Sequence, residues 1–350
     1  FALGVQSYAG AGTFEAFYEI FLDQFNRVCA MIAAERTRTE RDAVRYNPSP
    51  ILSATIEDCI AKRRDISDGG ARYNFGSVGQ VGIGELIDSL LAVKTAVYDK
   101  AIVSLSELTE KMRNDFRDDP ALRSFLQNRV EKFGSEQPDV RAFSARVFAD
   151  IARLSSGFPN SRGGRYEASL FSHTLNMFSG HRTGATPSGR PAGRQLSAGM
   201  GPSAASFGGD CGLTQILGAL KPLDMTAYPV VSMLELKLPA GRISAESVLP
   251  LVRMFIAFGG SGLQVNYVDQ QTLEEARRDP SLHPDLVVRV SGYSSYFSVL
   301  SDEIAASIAH CGQQFPVFST NMRAWCRTTT SSTSAPTQLA SAGMKRCISP

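Results

Sequence analysis

Apolar residues recur at three- and four-residue steps near the start of the chain. Phe14, Phe17, Phe21, Phe25, Val28 and Ile32 share one face of a 3.6-residue turn and predict an amphipathic helix over 13–32. Helical patterns follow over 53–62, 85–98, 106–116 and 139–154, the first of them preceded by Pro48 and Pro50. Beyond residue 160 the period changes. Residues 167–178 have strand character, and 180–201, rich in Gly, Pro and Ser, read as a long ordered loop. Alternation over 230–238 predicts a strand, then a helix over 244–258, a strand over 262–268 and a short helix over 272–278. A third strand, 286–290, runs into Ser291 and Gly292, and Ser301 caps a helix over 301–311. Strands alternating with helices predict an α/β fold with mainly parallel pairing.

Composition narrows the function classes. Of 350 residues, 43% are hydrophobic and 20% charged, which permits a packed core. A net charge of +2 gives no reason to expect nucleic acid or an anionic membrane as partner. No apolar run approaches the roughly 20 residues that span a bilayer. The six cysteines, Cys29, Cys59, Cys211, Cys311, Cys326 and Cys347, include no CxxC pair, so no metal site is expected, and sparse unpaired thiols predict a cytoplasmic protein. Residues 316–350 contain no Asp or Glu and carry a Thr/Ser run over 328–334, which predicts little packed structure there.

Most candidate motifs fail on spacing. Gly79, Gly82 and Gly84 precede a helix but do not make GxGxxG, so a tight, closely packed turn is the better reading than a nucleotide loop. His173, His181, His283 and His310 form no ligand pair. Glu57 and Asp58 read as a solvated helix face.

The string Arg289-Val290-Ser291-Gly292-Tyr293-Ser294-Ser295-Tyr296-Phe297 is specific, and it resembles the glycyl radical motif RVxGYxxxF of the glycyl radical enzymes. Further blocks resemble the same family in the same order: Asp58-Cys59-Ile60, Asp68 to Asn74, Gly79 to Lys94, Arg162 to Tyr166, and Thr183 to Gly193. Ser188 departs from the Asp usual at its position. Together the blocks cover residues 1–315, and they make the chain resemble the C-terminal portion of such an enzyme, closer to the dehydratase and carbon–heteroatom lyase branch than to pyruvate formate-lyase.

The resemblance implies the later half of a ten-stranded α/β barrel. Residues 1–165 would form its helical and Gly-rich part, 166–285 its later strands and helices, 286–315 the glycine radical domain, and 316–350 an atypical tail. It implies that Gly292 stores a radical installed by a radical-SAM activating enzyme, with no bound cofactor. Glycine suits the role because the radical needs a near-planar centre between the donating amide nitrogen and the withdrawing carbonyl. Arg289, Ser291 and Tyr293 would support the loop. The partner cysteine, which would pass the radical to a small polar substrate, is expected outside this chain, because neither Cys29 nor Cys59 has the family's loop setting. A homodimer is implied for the full-length form. A pyruvate formate-lyase-type acyltransferase and a non-enzymatic spare-part protein remain the alternatives. Ser172 with Thr174 on one strand, and Gln264 with Asn266 on another, are candidate pocket positions, since a period of two puts each pair on one face. Polar core groups satisfied by backbone are the competing reading of all four.

Overall fold

The computed structural model describes residues 8, 10–172, 174–203, 213–238, 245–290 and 292–310. The chain opens with helix α1 (Phe14–Tyr46), whose Thr13 side chain accepts from the Ala16 N–H. It runs fourteen residues past the expected end at Ile32. The second half is polar but rich in good helix formers, and Glu40 anchors it by meeting Arg162 and Ser161. The helix expected over 53–62 is two pieces, α2 (Pro50–Thr55) and α3 (Cys59–Lys62). They break where Asp58 takes a left-handed φ of +74°.

Strand β1 (Gly76–Gly79) leads into α4 (Ile83–Val93), which continues as a wider turn over Lys94–Asp99. Then come α5 (Leu105–Arg113), started by a reciprocal Ser104–Glu107 capping box, and α6 (Pro120–Asn128), which hydrophobic spacing alone did not suggest. Its signal is the Asp119 cap before Pro120 at the first helical position. Helix α7 (Pro138–Ser155) precedes the short β2 (Phe158–Pro159) and β3 (Arg165–Leu170). After α8 (Leu175–Arg182) and a long loop come α9 (Leu213–Leu220), β4 (Val231–Leu238), α10 (Ala245–Ala257) and β5 (Gly262–Tyr267). The chain then forms α11 (Gln270–Arg278), β6 (Val287–Arg289), β7 (Ser294–Tyr296) and α12 (Asp302–His310).

The α/β expectation holds. Strands β1, β3, β4 and β5 pair in parallel in that order, and β2 adds antiparallel to β3. A large core of residues from α1, α4, α7, the sheet and α10 includes the fully buried Tyr18, Ile87, Ile151, Leu170 and Leu234. A second, separate core gathers Leu273, Ala276, Val288, Val290, Phe297, Ala305 and Ile308. It joins α11, the β6–β7 hairpin and α12 into a small lobe. The tail expected over 316–350 lies outside the described residues.

The motif blocks of the first half are packing devices. Asn160 donates through Nδ2 to the Asn74 carbonyl at 2.6 Å, and Arg162 donates to that of Phe75 at 3.0 Å. A β-carbon on Gly164 would collide with the Asn74 carbonyl oxygen, so the two blocks meet backbone to backbone. A β-carbon on Gly84 would likewise collide with the 201–203 backbone, and Ser197 Oγ accepts from the Gly84 N–H at 3.0 Å. The Gly-rich turn is thus a close approach.

The loop that carries Thr183 to Gly193 is ordered from within. Arg190, 5% exposed, donates to the carbonyls of Thr183, Gly184, Pro191 and Arg194. Ser188 and Thr186 both donate to Glu85 on α4, a role that the hydroxyl of Ser188 can fill and an ionised Asp, an acceptor only, cannot. Asp88, one turn on, is fully buried and accepts from the Phe133 N–H and the Ser203 hydroxyl. Buried Lys132 faces both carboxylates, and its ammonium donates to the Leu126 and Ser188 carbonyls. Burial lowers the Lys132 pKa, opposed by those two carboxylates.

Candidate functional site: the glycine hairpin

The strand expected over 286–290 forms as β6, but it returns as β7. The pair is antiparallel, with Val287 opposite Tyr296 and Arg289 opposite Ser294. The Val290 N–H donates to the Tyr293 carbonyl at 2.9 Å and closes the turn. Gly292 lies in that turn at φ +79°, a conformation open to glycine at no steric cost. Ser291, its expected support, lies outside the described residues.

Two side chains of β5 hold the hairpin. Their strand alternates: Leu263 and Val265 face the large core, while Gln264 and Asn266 point the other way, 7% and 8% exposed. Asn266 Nδ2 donates to the Arg289 carbonyl, and Asn266 Oδ1 accepts from the Arg289 N–H, both at 2.8 Å. Gln264 Nε2 donates to the Val290 carbonyl at 3.3 Å, and Gln264 Oε1 accepts from the Gly292 N–H at 3.2 Å. The two amides therefore pair with loop backbone as a neighbouring strand would.

The other end of the Gly292 peptide is held from within the hairpin. Arg289 Nη2 donates to the Gly292 carbonyl at 2.7 Å and Nη1 to Ser294 Oγ at 3.2 Å. Phe171, immediately after β3, places its ring tip 3.4 Å from where a Gly292 β-carbon would sit. Tyr293 is 53% exposed.

The other expected pocket pair is arranged differently. Strand β3 ends at Leu170, so Ser172 and Thr174 lie beyond it and do not share a strand face. Ser172 is fully buried, and its Oγ accepts from the Gly199 N–H at 2.7 Å. Thr174 takes a φ of +65° at the start of α8. His173 and Cys211 lie outside the described residues.

The two described cysteines, both buried, are not part of the hairpin's core. Cys29 is buried in a cluster with Ala33, Val78 and Tyr166 that shares no residue with the hairpin's core, and burial pushes its thiol up to about 11. Cys59 is buried at the start of α3. Among the described residues no group of His, Cys, Asp and Glu could hold a metal ion, and no helix is long and apolar enough to cross a membrane.

A parallel α/β sheet that carries a backbone-clamped glycine at a hairpin turn defines the class, and comparison with known proteins agrees. Residues 2–180 match the pyruvate formate lyase-like family and 234–298 the glycine radical family; the chain belongs to the glycyl radical enzymes. It is 28% identical to trans-4-hydroxy-L-proline dehydratase of Clostridioides difficile, over 83% of this chain and 37% of that protein. It is 33% identical to the probable dehydratase YbiW of Escherichia coli K12, over 74% of this chain and 34% of that protein. The glycerol-bound B12-independent glycerol dehydratase of Clostridium butyricum superposes with a TM-score of 0.80 at 27% identity, covering 90% of this chain and 40% of that one. The chain thus spans little more than a third of the length of the curated relatives it matches.

Proposed function

We propose that this chain supplies the radical-storing glycine of an enzyme that dehydrates, or cleaves a carbon–heteroatom bond of, a small polar substrate. The observation that carries the reading is Gly292, held by its own N–H and C=O at the turn of the hairpin where the glycine radical family matches. The dehydratase names of the relatives support the reaction class.

In this reading a radical-SAM activating enzyme delivers a 5′-deoxyadenosyl radical. That radical takes one hydrogen atom from the Gly292 α-carbon, which leaves the unpaired electron there and yields 5′-deoxyadenosine. In turnover Gly292 recovers a hydrogen atom from a cysteine thiol, and the thiyl radical attacks substrate. The thiol belongs to a loop outside the described residues: Cys29 and Cys59 are both buried, and neither belongs to the core that holds the hairpin. A homodimer and a cytoplasmic setting complete the proposal.

The test is anaerobic activation of the polypeptide that carries these residues, followed by EPR. The reading expects a doublet from one α-hydrogen, replaced by a singlet with [2,2-2H2]glycine and abolished in Gly292→Ala. A doublet that persists in Gly292→Ala would place the radical elsewhere.

A further inference from the structure

We infer that Gln264 and Arg289 polarise the Gly292 peptide from opposite ends and so tune the radical as well as position it; this rests on the assignment of the radical to Gly292. A radical on a glycine α-carbon is shared with the flanking groups. The amide nitrogen donates electron density toward it and the carbonyl withdraws it. Any neighbour that makes the nitrogen richer or the carbonyl poorer spreads the spin further and weakens the Cα–H bond that must break.

Both neighbours are present. Gln264 Oε1 accepts from the Gly292 N–H at 3.2 Å, which pulls the proton away from the nitrogen and enriches it. The amide is not free to turn over. Its other end donates to the Val290 carbonyl, so only one orientation satisfies a backbone acceptor and a backbone donor together. Gln264 is 7% exposed, so little water competes for that bond. On the far side, the Arg289 guanidinium donates to the Gly292 carbonyl at 2.7 Å. That bond is charge-assisted, and a cation on the carbonyl oxygen strengthens its withdrawal. The second guanidinium bond, to Ser294 Oγ across the hairpin, fixes the fork in place.

Asn266 supplies the contrast. Among the described residues its hydrogen bonds go to Arg289 backbone, one each way, and not to the N–H or the C=O of Gly292. It holds the loop without polarising the radical peptide. The two β5 amides, a period of two apart and alike in burial, therefore have different roles.

The experiment is EPR and electron-nuclear double resonance on the activated polypeptide grown with [15N]glycine. Only the glycine that carries the unpaired electron contributes couplings, so the remaining glycines are silent. In Gln264→Met the 15N coupling shrinks and the α-proton splitting widens, because spin returns to the α-carbon. Gln264→Glu keeps an oxygen opposite the Gly292 N–H but loses the donor to Val290, so it holds the 15N coupling at or above the wild-type value. Arg289→Gln widens the α-proton splitting, and Arg289→Lys restores it in part. Asn266→Ala leaves both couplings at the wild-type value while loosening the loop. A radical lost in Gln264→Met but kept in Gln264→Glu would support the role equally. Wild-type couplings in every folded variant would overturn the inference and leave Gly292 as the radical site. Loss of the radical from both folded Gln264 variants would reduce Gln264 to a positioning clamp. No doublet in the wild type would overturn the radical assignment itself.

Discussion

Asn266 and Arg289 exchange two hydrogen bonds of 2.8 Å, side-chain amide against backbone N–H and C=O. A neighbouring strand residue would make the same pair of bonds, yet β6 belongs to a different sheet from β5. The glycine hairpin is thus tied to the parallel sheet by side chains standing in for a strand. Asn266→Ala leaves a backbone donor and acceptor without partners and costs about 1–3 kcal/mol locally. Amide hydrogen exchange over 286–297 is expected to speed up, and trypsin to cut after Arg289 sooner, with the large core unchanged. Unaltered protection of the hairpin would mean that its own small core holds it in place without the amide.

Gly292→Ala tests whether glycine is needed for the fold or for the chemistry. A side chain at φ +79° costs roughly 1–2 kcal/mol. Among the described residues the added carbon meets the tip of Phe171, at 3.4 Å and 3.9 Å, which is ordinary contact. The variant is therefore expected to fold, with a melting temperature a few degrees lower, and to carry no radical. Unfolding or aggregation of Gly292→Ala would show that backbone conformation alone accounts for the glycine.

Helices α1, α4, α5, α7, α10 and α11 and strands β4 and β5 were legible because their apolar spacing repeats over many residues; β1, inside the Gly-rich stretch, and α6, α8 and α9 were not. The long α1 extension was not, since 33–46 carry little apolar periodicity and are held by distant groups such as Arg162. Strand β7 escaped because three polar and aromatic residues, Ser294–Tyr296, make no pattern, and only the return of the chain defines them. The alternation of Ser172 and Thr174 suggested a strand, but the left-handed φ of Thr174 turns the chain into α8 instead. For Gln264 and Asn266 the shared face was legible and the partner was not. The groups they bind lie 28 and 23 residues further along, where only tertiary structure brings them. Gly292 and Arg289 stood out because a motif fixes their chemistry at short range.

Ser188, where the family's block carries Asp, makes a second point of difference testable. Its hydroxyl donates to Glu85 and accepts from the Arg190 N–H at 3.3 Å, both in a buried setting. Ser188→Ala removes one of two hydroxyl donors to that carboxylate and leaves Thr186 alone. A loss of about 1–3 kcal/mol is expected. It should appear as a lower urea midpoint at an unchanged denaturant slope. A midpoint equal to that of the wild type would show that Thr186 suffices.

Asp88 gives the chain a pH dependence opposite to that of its surface carboxylates. Burial raises its pKa from 3.8 to about 6, and the Lys132 ammonium, the Ser203 hydroxyl and the Phe133 N–H only partly oppose this. Glu85 adds a small repulsion of like sign. In the unfolded chain Asp88 titrates near 3.8, so between there and about 6 the folded state binds the extra proton. Stability from this group is fully present below 3.8 and is lost as pH rises through about 6. Asp65 runs the other way: hydroxyl and backbone donors from Ser67 and Ser53 hold it at about 2, so its contribution is complete above 3.8. Asp88→Asn keeps an acceptor for the Phe133 N–H and a group that can donate to Ser203 Oγ, and it cannot ionise. The wild type is expected to lose about 2 kcal/mol relative to Asp88→Asn between pH 4 and pH 7. Urea unfolding of both proteins across that range measures the difference, which cancels the contribution of Asp65 and every other shared group. A difference that does not change with pH would mean that Asp88 is ionised throughout, with Lys132 compensating its burial in full.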